Sequence, residues 1–175
     1  MTDSAPDFAA FWEQATPWEG YLRPEMEQAE LWRGVSAHVT VPEWAAAAFT
    51  ASPIRRLLVL AADWCGDAAN TVPVFADLAG RVPGMELRVL DRDRHYDLMR
   101  RYLTDGSKSI PIVIALDEQF RERGHWGPRP AVLQAWVLAN KQMIPSPQRY
   151  AFARRWYAKD RGESPLRELL AAAGG

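Results

Sequence analysis

The chain has 175 residues, 48% of them hydrophobic, and a formal net charge of -1; it is long enough to bury one sizeable core and short for two domains of ordinary size. A pI near 6.3 supplies no global field to hold nucleic acid or an anionic membrane, so neither is expected as a partner. The lone cysteine, Cys65, cannot close a disulfide within the chain; with no secretory signal at the start and no apolar run of the ~18 residues that a membrane span needs, it points to a cytoplasmic protein standing on packing alone.

The first fifty residues read as helical and Trp-rich. Pro24 is placed to begin a helix through Met26, Leu31 and Trp32, and Pro42 to begin another through Trp44 and Phe49. Between them, His38–Val41 reads as a short edge strand. The tryptophans of this region sit at the spacing of core or docking positions, and no chemistry is assigned to them.

From Arg55 onward the pattern sharpens. Leu57–Ala62 is a continuous apolar run, as in a strand buried on both faces of a parallel sheet. A helix over 66–78 follows, then the alternating strand Met85–Leu90 after the turn at Pro83-Gly84, which makes a right-handed βαβ unit. His95–Leu103 reads as a second helix ending before Asp105-Gly106. Pro111 then heads the apolar run Ile112–Leu116, and a tight turn at Asp117-Glu118 leads to a hairpin partner over Gln119–Arg123, expected at a sheet edge. A helix over 130–138 comes next. Ser146-Pro147 reads as the N-cap and first residue of a further helix holding Tyr150, Ala153, Trp156 and Tyr157.

Charge is unevenly spread: residues 1–30 carry seven acids against Arg23, whereas residues 121–161 carry nine bases against two acids. Such segments are solvated faces that attract each other within one molecule or between two, which leaves room for a homodimer, or else form a surface for an anionic ligand.

Ala62-Asp63-Trp64-Cys65-Gly66-Asp67-Ala68 resembles the active-site turn of thioredoxins, Trp-Cys-Gly-Pro-Cys, with alanine in place of the second cysteine. Pro73 stands where thioredoxins kink the active-site helix, and Ser109-Ile110-Pro111 where they carry a cis-proline loop. The chain is closer still to a bacterial thioredoxin-like family with a Trp-Cys-Gly-Asp turn and a late Trp-Gly-Pro-Arg-Pro segment, here residues 126–130. The resemblance covers roughly residues 37–140. It implies an α/β thioredoxin fold, with a mixed sheet of four or five strands, a helical extension at 1–36 and another at 141–175. It also implies a cis bond before Pro111 and a platform at Ile110 and Trp64 for an extended client.

Two departures bear on chemistry. Ala68 removes the resolving cysteine, so a dithiol mechanism is excluded within one chain. Val59 stands where thioredoxins keep a buried aspartate. Cys65 is left as a candidate single-thiol nucleophile that would form a mixed disulfide with a client protein or a low-molecular-weight thiol. In the turn it resembles, the thiol sits at an exposed tip, where the helix start favours thiolate and the carboxylate of Asp67 opposes it. Against this stands a packed, inert thiol in a binding or adaptor protein that performs no turnover. The candidate site is Cys65 with Trp64, Gly66, Asp67, Ile110 and Pro111. Arg129 belongs to a Pro-rich segment that reads more simply as a rigid turn than as a ligand site. No cofactor or metal is expected, because His38, His95 and His125 lack metal-ligand spacing with Cys65 and there is no Gly-rich phosphate loop.

Overall fold

The computed structural model describes residues 4–174. In chain order these form α1 (Phe8–Gln14), β1 (Thr16–Pro17), α2 (Trp18–Tyr21), α3 (Ala29–His38), α4 (Glu43–Ala51), β2 (Arg56–Ala61) and α5 (Gly66–Arg81). They continue with β3 (Glu86–Asp91), α6 (Tyr96–Met99), β4 (Ile112–Leu116), β5 (Glu122–Trp126), α7 (Ala131–Asn140), α8 (Ser146–Asp160) and α9 (Glu163–Ala172).

The strands pair in the order β1-β3-β2-β4-β5. Because Leu57–Ala61 is apolar at every position, only a place inside the sheet can bury both of its faces. There β2 lies parallel to β3, with Leu57 opposite Leu87, and antiparallel to β4, with Leu60 opposite Ile112. This register decides where chemistry can sit. It sets the C-terminal end of β2, which runs into the Cys65 turn, beside the N-terminal end of β4, which begins after Pro111. β5 returns antiparallel to β4 with Trp126 opposite Val113, so the Trp126–Pro130 segment emerges at the same end of the sheet.

The main core takes in α5 through Val72, Phe75 and Leu78, together with Phe8, Trp12, Met26 and Trp32 from the N-terminal segment. A smaller cluster of Leu133, Ala153 and Tyr157, with Val137, Phe152 and Trp156 against it, joins α7 to α8.

Several elements differ from the sequence reading. His38–Val41 forms no strand: His38 closes α3 and Val41 N–H donates to Asp77 Oδ2 of α5 at 2.8 Å. The edge beside β3 is taken instead by Thr16–Pro17. The helix expected from Pro24 starts at Ala29. The one expected over His95–Leu103 is helical only to Met99, after which Arg101 and Tyr102 N–H groups bond back three residues, to Leu98 and Met99, as turns. The hairpin strand begins at Glu122 rather than Gln119. Asp117 Oδ1 accepts from Gln119 and Arg121 N–H at 2.9 and 3.0 Å, and Phe120 takes a positive φ, so the connection consumes residues that a tight turn would have left to the strand. In α8, Pro145 is the N-cap, and Ser146 and Pro147 lie in the first turn.

Candidate functional site

Cys65 is the N-cap of α5, and its Sγ accepts a hydrogen bond from Ala68 N–H at 3.4 Å. The thiol also donates to the carbonyl of Ile110 at 3.5 Å, the residue before Pro111, and the Ile110–Pro111 peptide is cis. Turn and loop are thus joined through the sulfur. The expectation of an exposed tip is corrected: Cys65 is only 7% exposed. Burial pushes its thiol up to about 11, and the charge of Asp67 adds to this; the Ala68 N–H and Arg129 work against it. Desolvation prevails because it acts on the whole charge, whereas the backbone N–H groups of Ala68 and Asp67 at the helix start offset only part of it. At neutral pH this keeps the group as the thiol.

The other expected residues gather round this pair. Trp64 is 41% exposed, and the Arg92 guanidinium lies over its ring at 4.7 Å. Gly66 opens α5, and its carbonyl accepts from Asn70 Nδ2 at 2.8 Å. Asp67 is held at both carboxylate oxygens: Tyr157 of α8 donates its hydroxyl to Oδ1 at 2.7 Å, and Arg129 Nη2 lies 2.8 Å from Oδ2. Ile110 and Pro111 are buried. The N-terminal segment braces the turn from the other side, where Trp32 Nε1 donates to the Asp63 carbonyl at 2.8 Å and Gln28 Nε2 donates to that of Trp64.

Arg129 is therefore more than part of a rigid turn. Its segment is fixed by Glu168 of α9, which accepts from Trp126 Nε1 at 2.6 Å and from Ala131 N–H at 2.9 Å. Gly127 holds a φ of +132°, and a Cβ there would stand 2.0 Å from the Pro111 carbonyl oxygen. Glycine alone lets the two proline loops approach this closely. Between the Cys65 turn, the Ile110 loop and α8 lies a cavity of about 530 Å³, whose walls include Gln28, Arg92, Arg129, Tyr150 and Arg154.

The family model described as Thioredoxin matches residues 16–145. The chain belongs to the thioredoxin family. Within that family its turn carries one thiol and no partner thiol, so no intramolecular disulfide can form at the site. Among curated proteins, none matches the chain. Of solved structures, a protein of unknown function from Pseudomonas aeruginosa is similar at 21% identity and a TM-score of 0.71, over 98% of this chain and 99% of that one. An HIV epitope-scaffold is similar at 20% identity and a TM-score of 0.69, over 97% and 99%. These likenesses carry the thioredoxin fold and no activity.

Sequence reasoning reached the turn and the proline loop but missed Tyr157, Gln28 and the engagement of Arg129. The Trp-Gly-Pro-Arg-Pro segment was the available signal for Arg129. Nothing local marks Tyr157, which lies 90 residues from Asp67. Among the described residues no cluster of His, Cys, Asp and Glu is arranged to hold a metal, and no helix is long and apolar enough to cross a membrane.

Proposed function

We propose that this thioredoxin-family protein binds a ligand in the cleft beside Cys65 and performs no disulfide turnover. The observation that carries this reading is the clasp on Asp67. Tyr157 and Arg129 hold the residue two positions after the cysteine, which ties α8 to the start of α5 beside a buried thiol that its surroundings keep protonated. The partners that suit the cleft are an extended client segment along the Ile110 loop or a small molecule, in a reducing cytoplasm.

A second reading has one observation in its favour: Cys65 itself lines the 530 Å³ cavity, a volume suited to a small molecule. A low-molecular-weight disulfide entering there would be attacked by the Cys65 thiolate. A mixed disulfide would form, the other half would leave as a thiolate, and an outside thiol would be needed to release the chain, because Ala68 cannot.

The two readings separate in one pair of assays. On the binding reading the protein gives no acceleration of insulin reduction by dithiothreitol, and at neutral pH native Cys65 is alkylated by iodoacetamide only slowly and takes up no glutathione from oxidised glutathione. Native glutathionylation at Cys65 overturns it in favour of the single-thiol reading.

A further inference from the structure

We propose, resting on the cleft-binding reading, that the ligand is a small organic oxyanion, a carboxylate or phosphate ester with an apolar body, and that Arg154 of α8 is the residue that binds its charge. The charged side chains lining the 530 Å³ cavity are Arg92, Arg129, Arg154 and Asp67, three cations against one anion. Their commitments differ. Arg129 is spent on Asp67 at 2.8 Å and on Gln134 Oε1 at 2.8 Å. Arg92 donates to the Lys108 carbonyl and lies 3.4 Å from Asp93. Arg154 has no carboxylate partner among the described residues, so its five donors are free to meet an oxyanion two at a time.

The remaining walls set the rest of the ligand. Leu31, Ile110, Pro147 and Ala153 are apolar, and Tyr150, 63% exposed, offers a ring. A bare inorganic ion would leave these surfaces wet, whereas an apolar body would cover them. The field extends beyond the first cavity. An adjoining one of about 320 Å³ shares Asp67, Arg129 and Tyr150, and adds Lys141 and Arg149 against Asp105. Apart from Arg92, these cations lie in the basic 121–161 stretch, which the fold turns toward the cleft as well as toward solvent.

The test is calorimetric titration of the full chain with phenyl phosphate, benzoate and inorganic phosphate, repeated with Arg154→Gln and, as a control, with Lys159→Gln farther along the same helix. Saturable binding of phenyl phosphate or benzoate is expected, with weaker binding of inorganic phosphate and a loss of about tenfold or more in R154Q with K159Q unchanged. The relative strength of the two aromatic probes tells phosphate ester from carboxylate. No saturable binding of either aromatic probe overturns the proposal, as does equal binding by R154Q, or inorganic phosphate binding as tightly as phenyl phosphate. Thiol labelling is read separately: a cleft that binds no anion beside an unreactive Cys65 sinks this inference alone, and a reactive Cys65 sinks the non-turnover reading alone.

Discussion

At Cys65 two local effects oppose each other, and their sizes decide the chemistry. The N–H of Ala68 and the start of α5 favour a thiolate, a contribution of about 0.3–1 kcal/mol for a helix terminus. Burial and the Asp67 carboxylate favour the thiol and prevail, holding it near 11. Replacing Asp67 by Asn removes that anion and leaves Arg129 facing the sulfur without its partner. At a fixed pH below the midpoint, alkylation of Cys65 in D67N is expected to run about tenfold faster than in the parent, the gain from a fall of one in pKa. An unchanged rate would show that Asp67 does not act on the sulfur. Ala68→Cys tests the geometry of the turn in another way. Residues 65 and 68 are already joined from the N–H of one to the sulfur of the other, so mild oxidation should close a disulfide and remove both free thiols by thiol titration. Thiols that persist under oxidation would place the two side chains too far apart.

At the level of elements, α8 and the Trp126–Pro130 segment form a cap tied at a few points to the start of α5 and to the Pro111 loop. Tyr157→Phe deletes the hydroxyl that donates to Asp67 and leaves a partly buried carboxylate oxygen short of a partner. The expected loss is about 1.5–3 kcal/mol in chemical denaturation, the range for a hydrogen bond to a charged group, together with easier labelling of Cys65. A change within error would mean that the cap is held by the α7–α8 packing alone. Gly127→Ala should cost more than about 1 kcal/mol, because its methyl meets the Pro111 carbonyl and its φ is positive. The contrast between these two positions also explains what the sequence could reveal. Apolar runs such as Leu57–Ala62 and Ile112–Leu116 declare themselves through period and length, and the cysteine turn and proline loop through short motifs. β1, with two residues, is too short for any period, and its pairing with Val89 and Arg88 arises only once β3 is in place. The start of β5 depends on how one carboxylate, Asp117, wraps its own loop. The clasp on Asp67 joins residues far apart in the chain, and only the assembled fold brings them together.

For the whole molecule, burial of acidic groups in neutral form ties stability to alkaline pH. Cys65 is raised from 9.0 to about 11 by burial, and Tyr157 and Tyr102 are raised by burial with the charges of Asp67 and Glu122 beside them. Each group is therefore more easily ionised in the unfolded chain than in the native one. The stability that each contributes is complete below its unfolded value and is lost as pH rises toward its folded value. Denaturation midpoints should hold steady through neutral pH and fall from about pH 9 upward. Cys65→Ala should flatten the part of that fall between about pH 9 and 11, by no more than about 3 kcal/mol. Equal slopes in the two proteins would mean that the native thiol ionises as freely as an unfolded one. The same property gives the most direct test of the central claim, that this thioredoxin-family protein keeps its cysteine as a buried, protonated wall of a binding cleft. The measurement is the rate of native Cys65 alkylation as a function of pH. Slow labelling with a midpoint near 11 is expected; rapid labelling with a midpoint at or below about 8.5, the value of an ordinary free thiol, would show an exposed, ionisable thiol instead.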